Sequence, residues 1–264
     1  MAPPGSHRTS RYAVPVPILA VLIPVFNEAP TVVRAVERLL DAPAPQGVER
    51  RVIAVDDGST DGSAPLLLAL AERRPTLTVL RHPSNRGKGA AVRTALGSEG
   101  ARGADLVLIH DADLEYDPAD HSAVLAPLLD GRADAVIGSR FRGGTAHRVL
   151  YYWHAVANRA LTVLSNALTN LNLSDIECCT KAFTGEVARG LRLMEDSFAI
   201  EPEIIARLAR LRLPDPTHPL GERPLRIFEV PVSYAGRTYA EGKKIRWTDG
   251  GRALWAIVRH RFSG

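Results

Sequence analysis

Short apolar runs alternate with helix-like stretches through the first half of this chain. The runs have the length and composition of strands and lie at residues 18–25, 51–55, 76–80, 105–109 and 133–137. Between them, apolar residues recur on one helical face at residues 30–40, 63–73, 89–96 and 118–129. Strands that are apolar throughout are typical of a parallel sheet with helices on both faces. The pattern therefore predicts an α/β fold with a mostly parallel sheet flanked by helices.

The pattern changes after about residue 145. From there we expect a long helical stretch, a second helix, a proline-rich loop, a strand and a final helix, at residues 149–173, 201–211, 213–224, 226–234 and 248–259. No repeat or low-complexity tract divides the sequence. It predicts a flexible tail at residues 1–14 and a single domain at 15–264. Within that domain, residues 146–264 form a helical C-terminal elaboration.

An acidic turn, defined here as Asp111 to Glu115, follows the strand predicted at 105–109. Alternation along a strand would put Asp111 and Asp113 on the same side. Two carboxylates so near to each other raise each other's pKa unless a cation lies between them. Their hard oxygen atoms suit Mg²⁺ or Mn²⁺. On its own, the pattern fits either a metal site or a solvated acidic loop.

Polar residues also follow other predicted strands, where ligands of such sheets bind. Asp56 and Asp57 end the second strand, and a carboxylate there can accept hydrogen bonds from a nucleoside. Residues 85–91 lead into the third helix, where Lys88 and neighbouring glycines suit a phosphate group. Neither a Walker A spacing nor a Gly-x-Gly-x-x-Gly after a strand is present. That argues against a P-loop ATPase and a dinucleotide-binding dehydrogenase.

Composition narrows the class of protein further. The net charge of +4 is mild and no basic block with interleaved aromatics occurs, so we expect no nucleic-acid partner. The only cysteines, Cys178 and Cys179, are adjacent, which excludes a disulfide framework and a zinc site and predicts packing residues. No segment has the length of a membrane span, and the N-terminus lacks a signal-peptide pattern. We therefore expect a cytoplasmic location.

Five motifs stand in a fixed order: IPVFNE at 23–28, VDDGSTDG at 55–62, NRGKG at 85–89, DADLE at 111–115 and GSRF at 138–141. Later segments agree with them, namely LSD at 173–175, KAF at 181–183, EVPVSY at 229–234 and EGK at 241–243. This order resembles family 2 glycosyltransferases of the GT-A (Rossmann-like) fold. The branch that the chain most resembles is the dolichyl-phosphate or polyprenyl-phosphate mannose and glucose synthases, over about residues 18–250.

The resemblance implies a role for each matching residue. Residues 15–145 would bind the nucleotide sugar, and its nucleoside would lie against Pro24, Phe26, Glu28, Val55 and Asp57. The donor diphosphate and a divalent metal ion, Mg²⁺ or Mn²⁺, would be held by Asp111, Asp113, Glu115 and the backbone of Ala112. Lys88 and Arg140 complete the expected nucleotide-sugar site. The expected catalytic residues are Asp113, Arg140, Arg237, Lys243 and Asp175, with Asp175 the general base if the acceptor is a hydroxyl.

The sequence is compatible with two kinds of acceptor, a lipid monophosphate and a hydroxyl group. A lipid monophosphate needs no base, only cations, and the basic residues near these motifs are Arg140, Arg142, Arg148, Lys181, Arg237, Lys243 and Lys244. For Arg142, Arg148 and Lys244, solvated surface charge is the favoured interpretation. A hydroxyl needs a general base. The aromatic residues 151–153 and the helical stretches 149–173 and 247–262 fit either a membrane interface or the core of the C-terminal part, and core packing is favoured for residues 156–171.

The favoured hypothesis is an inverting, metal-dependent hexosyltransferase. It would move mannose or glucose from a GDP- or UDP-hexose to a dolichyl or undecaprenyl phosphate, with peripheral contact at the inner face of the cell membrane. The first alternative is transfer to a soluble hydroxyl acceptor, such as a glycan or small metabolite. A non-catalytic nucleotide-sugar-binding protein is the third hypothesis.

Overall fold

The structure is a computed structural model that describes residues 16–143, 148, 149, 151–237 and 247–262, without the side chains of 247–249 and 262. The predicted tail at 1–14 and two of the predicted cations, Lys243 and Lys244, lie outside these residues.

Seven strands form one sheet in the order β3-β2-β1-β4-β6-β5-β9. Its strands are β1 (Ile18–Val25), β2 (Glu49–Asp56), β3 (Leu77–Arg81), β4 (Leu106–Ile109), β5 (Ala135–Ser139), β6 (Lys181–Thr184) and β9 (Ile227–Pro231). The pairs among β1 to β4 are parallel, and so is the pair of β5 with β9. The predicted mostly parallel sheet is confirmed, and every strand predicted before residue 145 is present.

Strand β6 runs antiparallel to both of its neighbours, β4 and β5, and was not predicted. Only Ala182 and Phe183 are apolar in its four residues, which is too short a run to distinguish a strand from a loop. Its first residue, Lys181, pairs with Ile109 of β4 and Ile137 of β5. Because those two residues lie near the carboxyl ends of their strands, the segment that leads into β6 reaches the same sheet edge.

The helices lie on the sheet and on one another. They are α1 (Val32–Asp41), α2 (Ser63–Ala71), α3 (Lys88–Leu96), α4 (Glu99–Arg102), α5 (His121–Leu129), α6 (Tyr152–Thr169), α7 (Gly185–Gly190), α8 (Ile200–Arg210) and α9 (Trp247–Phe262). Helix α3 packs on β1 and β2, α5 packs on β5, and α6, α8 and α9 pack together. The hydrophobic core includes the strands of the sheet, where residues such as Leu22, Leu108 and Phe183 are fully buried.

Two predicted segments differ in detail. The helix expected at 118–129 begins as a 3-10 turn at Pro118–Asp120, because the side chain of Asp117 accepts from the backbone of Ala119 there. The proline-rich loop expected at 213–224 holds a two-stranded hairpin, β7 (Arg212–Pro214) with β8 (Glu222–Pro224).

Helix α6 packs part of the apolar face expected at 156–171 against the core, through Leu161, Leu164 and Leu168. Its most buried positions are polar, namely Asn158, Thr162 and Ser165, while Val163 is exposed. A helix that buries polar groups needs partners for them. Asn158 finds its partner in the candidate active site described next.

Candidate active site

The candidate active site lies at the sheet edge where β1, β2, β4 and β5 end. The acidic turn follows β4, and Arg140 follows β5 directly. Strand β4 ends at Ile109, so Asp111 and Asp113 lie in a turn in which Leu114 has a φ of 65°. Strand alternation is therefore not what positions the two aspartates. Each contacts a different cation.

Asp111 is paired with Lys88. The ammonium of Lys88 lies 3.0 Å from Asp111 and 2.9 Å from Oε1 of Glu201, the second residue of α8. Burial acts to raise the pKa of Asp111, but Lys88 and a hydrogen bond from the thiol of Cys179 hold it below its ordinary value. Lys88 was predicted to bind the nucleotide sugar. In the structure it is the counter-ion of two buried carboxylates.

Asp113 shares the guanidinium of Arg237 with two glutamates. Arg237 Nη1 and Nη2 each lie 3.1 Å from the carboxylate of Glu28, Nη2 lies 3.3 Å from Oδ2 of Asp113, and Nε lies 3.1 Å from Oε1 of Glu115. The loops after β1, β4 and β9 thus meet on one side chain. Arg237 was predicted for this site, and the structure brings it there.

The electrostatics around Asp113 favour a cation. Burial first, and then the charges of Asp111 and Glu115, raise its pKa to about 7. Arg237 acts in the opposite direction but does not cancel these effects. An added positive charge next to Asp113 would therefore be stabilised by three carboxylates.

Glu115 is hydrogen-bonded to the segment that follows β9. Its Oε2 accepts from the hydroxyl of Tyr234 at 2.6 Å, and its Oε1 accepts from both the backbone N–H and Nε of Arg237. With its oxygens engaged in this way, Glu115 holds the segment after β9 against the acidic turn. The structure shows this bracing contact, and the metal-ligand role of Glu115 stays a prediction.

The residues present nevertheless fit a divalent metal ion. No group of three or more candidate metal ligands is preassembled within the described part of the chain. Asp111 and Asp113 supply hard carboxylate oxygens, and Mg²⁺ is commonly bound by one or two carboxylates together with substrate phosphate oxygens. A diphosphate ligand would complete such a set.

Arg140 and Asp175 form a buried ion pair next to the acidic turn. Arg140 donates from Nε to Oδ2 of Asp175 at 2.7 Å and from Nη2 to Oδ1 at 2.8 Å, and Asn158 donates to Oδ1 at 3.2 Å. Burial acts to raise the pKa of Asp175, but Arg140 keeps it below its ordinary value. A fully buried carboxylate of low pKa is a poor base. The geometry argues against the predicted role of Asp175 as general base.

Lys181 is also unsuited to the role expected of it. Its ammonium is fully buried and donates to Glu201 and to the backbone carbonyl of Cys178. It was counted among cations that dock an acceptor phosphate. Its contacts instead hold the start of β6 against α8.

Asp57, which was predicted to contact the nucleoside, fixes a loop. It accepts from His82 Nδ1 at 2.6 Å and from the backbone N–H groups of Arg86 and Gly87 at 3.0 and 2.7 Å. Gly87 has a φ of +100°, and a Cβ there would overlap the backbone of Asp196. The glycines of this loop are therefore required by close backbone packing, where the sequence predicted a close approach to a ligand.

The remaining predicted nucleoside contacts differ in their accessibility. Pro24 and Phe26 are partly exposed at the end of β1 and in the loop after it. The side chains of Val55 and Ala112 are buried in the core.

Sequence reasoning missed Glu201, Asn158 and Tyr234. Glu201 joins Lys88 to Lys181, Asn158 supports the Arg140–Asp175 pair, and Tyr234 supports Glu115. A buried acid at the start of a helix and an asparagine on its inner face have no distinctive sequence pattern. Tyr234 lay within the motif at 229–234 but was given no role.

A set of exposed apolar side chains begins near the site. This apolar surface consists of Tyr151, Tyr152, Trp153 and Val156 on or next to α6, and Leu254, Trp255 and Val258 on α9. Trp153 is 76% exposed and Trp255 is 65% exposed, on two helices that pack against each other. Among the described helices, none is both long enough and apolar enough to cross a membrane.

Comparison with known proteins identifies the family. The family model for glycosyl transferase family 2 matches residues 20–189. The chain is 27% identical over 227 residues to an undecaprenyl-phosphate 4-deoxy-4-formamido-L-arabinose transferase of Edwardsiella ictaluri, covering 85% of this chain and 62% of the relative. It is 24% identical to a UDP-N-acetylglucosamine–dolichyl-phosphate N-acetylglucosaminyltransferase of Methanococcus voltae, covering 84% and 90%. The chain thus spans less than two thirds of the formamido-arabinose transferase.

Solved structures agree on the fold. Glucosyl-3-phosphoglycerate synthase from Mycobacterium tuberculosis, in complex with Mn²⁺, UDP-glucose and phosphoglyceric acid, matches with a TM-score of 0.66 at 19% identity, over 93% of this chain and 80% of that one. The same enzyme with Mg²⁺ and UDP gives a TM-score of 0.64 at 19% identity, over 92% and 79%. The sheet is that of a GT-A fold, and the chain belongs to glycosyl transferase family 2.

Proposed function

We propose that this family 2 member is an inverting, metal-dependent glycosyltransferase that moves a hexose from a nucleotide-diphospho-sugar to a polyprenyl phosphate at a membrane surface. The observation that carries the proposal is a chain of hydrogen bonds between the acidic turn and the segment that leads into the apolar surface. The backbone N–H of Arg148 donates to the carbonyl of Tyr234 at 3.3 Å, and the hydroxyl of Tyr234 donates to Glu115. Tyr151, where the apolar surface begins, follows Arg148 by only three residues.

The apolar surface has the composition of a membrane-interface site. Tyrosine and tryptophan side chains suit the boundary between acyl chains and headgroups, and exposed arginines on the same helices, Arg159 and Arg252, suit anionic lipids. A polyprenyl phosphate has its phosphate group at this boundary. An enzyme resting there by α6 and α9 would meet the acceptor next to its own acidic turn.

The site chemistry suits departure of a diphosphate. A divalent metal ion bound to Asp111 and Asp113 would offset the charge that builds on the leaving diphosphate. Arg237, held beside Asp113 by Glu28 and Glu115, adds a fixed positive charge at the same place. Lys88 keeps Asp111 ionised for this work.

The burial of Asp175 in an ion pair with Arg140 favours a lipid phosphate acceptor. A phosphate oxygen is already anionic at neutral pH and attacks the sugar carbon without a general base. A hydroxyl acceptor needs such a base, and the predicted candidate is buried against Arg140. The two relatives named for lipid-phosphate transfer support the same acceptor class, and the solved neighbour with UDP-glucose supports a nucleotide-sugar donor.

The proposal is tested with radiolabelled UDP-glucose, UDP-N-acetylglucosamine and GDP-mannose. Each is offered with undecaprenyl phosphate in vesicles, with a soluble hydroxyl acceptor, and with water alone. We expect a labelled product that extracts with lipid and is released by mild acid as the free sugar. Transfer only to the soluble hydroxyl acceptor would contradict the lipid assignment, and binding of donors without any transfer would favour a non-catalytic protein.

A further inference from the structure

Glu177 lies at the active-site edge, although neither the motifs nor the proposed reaction uses it. It belongs to the segment between Asp175 and β6. Because β6 runs antiparallel to β4 and β5, this segment approaches β6 at the edge where those two strands end. Cys179, two residues on, contacts Asp111, and Asp175, two residues before, binds Arg140. Glu177 therefore lies on a segment that links the acidic turn to Arg140.

The carboxyl group of Glu177 has an unused acceptor. Its Oε1 is buried and has no hydrogen-bond partner among the residues that the structure describes. The two cations nearest in its electrostatic environment are committed to other carboxylates, Lys181 to Glu201 and Arg140 to Asp175. The residue as a whole is only partly buried, whereas its Oε1 is shielded from solvent. A buried acceptor without a partner is costly in a native protein and asks for an explanation.

The charges around Glu177 define the kind of ligand that it can take. Burial and the charge of Glu201 raise its pKa to about 7, and Asp175 adds to this, while Lys181 and Arg140 act against it. Another anion, such as a phosphate group, is disfavoured next to three acidic side chains. A neutral hydrogen-bond donor meets no such repulsion. The substrates of the proposed reaction offer one kind of neutral donor in quantity, the hydroxyl groups of the sugar.

We propose that Glu177 is a specificity-determining residue whose carboxyl group accepts a hydrogen bond from a hydroxyl of the sugar being transferred. This inference rests on the proposed function, because it assumes a nucleotide-sugar donor. It does not depend on the acceptor. In this arrangement the nucleotide is held by the loops after β1, β2 and β4, and Glu177 is the contact that distinguishes a nucleotide sugar from the bare nucleotide.

The test is a comparison of binding affinities without any acceptor present. Wild type, Glu177→Gln and Glu177→Ala are titrated with UDP-glucose and UDP, and with GDP-mannose and GDP, in the presence of Mn²⁺. We expect Glu177→Ala to bind the nucleotide sugar about 10-fold more weakly than wild type, because a hydroxyl hydrogen bond to a charged group is lost. The bare nucleotide should bind with unchanged affinity. Glu177→Gln, which keeps the shape and one acceptor oxygen, should fall between the two.

Deoxygenated donors identify the hydroxyl and separate recognition from a structural role. For wild type, one monodeoxy UDP-glucose should bind about 10-fold more weakly than UDP-glucose, and in Glu177→Ala that difference should disappear. Glu72→Gln, at an exposed acid after α2, is the matched control and should behave as wild type.

Three outcomes would overturn the inference. They are an equal loss of affinity for nucleotide and nucleotide sugar, no change in either, and a deoxy effect that persists in Glu177→Ala. Failure of transfer to polyprenyl phosphate with these binding differences intact would overturn only the proposed acceptor. A wild-type protein that binds none of the nucleotide sugars would overturn both proposals.

Discussion

Arg237 donates from Nε to Oε1 of Glu115 at 3.1 Å, across 122 positions of sequence. The same carboxylate accepts from the backbone N–H of Arg237, so the contact fixes both the side chain and the chain direction after β9. Arg237 also donates from Nη2 to Oδ2 of Asp113. We propose that the acidic turn is divided in function, with Glu115 bracing Arg237 and Asp113 available to a metal ion and diphosphate.

This division predicts different metal affinities for two matched variants. Asp113→Asn should weaken Mn²⁺ binding in the presence of UDP by about 100-fold, because it removes a charged ligand. Glu115→Gln should change it by less than about threefold, since Glu115 contacts Arg237 and Tyr234 instead. Titration of Mn²⁺ by electron paramagnetic resonance measures both. Equal losses would return Glu115 to the metal shell.

Activity is expected to depend on a divalent ion. Treatment with EDTA should abolish sugar transfer, and Mg²⁺ or Mn²⁺ should restore it. Asp113→Ala should lower kcat/KM by at least about 100-fold even at saturating metal, because charge on the leaving diphosphate is no longer offset. Circular dichroism verifies that the variant is folded. Full turnover in Asp113→Ala would disprove the metal assignment.

The sequence predicted the sheet well because its central strands hold consecutive apolar residues, as in Ile18–Val25 and Leu106–Ile109. The ordered motifs then predicted which strand ends meet. What sequence did not predict is which partner each charged residue takes. In their sequence motifs, Lys88 and Arg140 both look like free cations. In the structure Lys88 is paired with Glu201 on α8, and Arg140 is paired with Asp175 in the segment before the antiparallel strand β6. Such pairings arise from tertiary packing and leave no local pattern.

Glu177 should make stability depend on pH. Its pKa is raised from the ordinary value of 4.5 to about 7 in the folded protein, so between these values the folded state binds more protons than the unfolded state. The free energy of unfolding should therefore fall as pH rises from about 4.5 to about 7, and this contribution should be absent at higher pH. The decrease in the free energy of unfolding is on the order of 3 kcal/mol. Urea unfolding of wild type and Glu177→Gln across this range measures it, and the variant should lack this part of the slope. Identical slopes would contradict the assigned pKa shift.

The apolar surface should mediate binding to vesicles. A Trp153→Ser, Trp255→Ser double variant should bind vesicles of phosphatidylcholine and phosphatidylglycerol at least about 10-fold more weakly than wild type, because two aromatic side chains no longer enter the interface. Leu220→Ser is the matched control. Leu220 is 79% exposed on the β7–β8 hairpin, away from α6 and α9, so its loss should leave vesicle sedimentation unchanged. Equal binding by all three proteins would exclude this surface as the membrane contact.

We expect the buried Arg140–Asp175 ion pair to be needed for stability of the fold. Asp175→Ala leaves the guanidinium of Arg140 buried without its carboxylate, which should lower the free energy of unfolding by about 3–5 kcal/mol. Asp130→Ala, in the exposed pair with Arg132, is the control and should cost less than about 1 kcal/mol.

A double variant distinguishes the net contribution of the ion pair to stability from the cost of leaving one charge unpaired. Removing both charges in Arg140→Met, Asp175→Leu should recover much of the stability lost in Asp175→Ala, because no unpaired charge is then buried. Urea unfolding monitored by tryptophan fluorescence measures all four proteins. If Asp175→Ala were as stable as wild type but inactive, the carboxylate would act in chemistry after all. The general-base mechanism with a hydroxyl acceptor would then regain support.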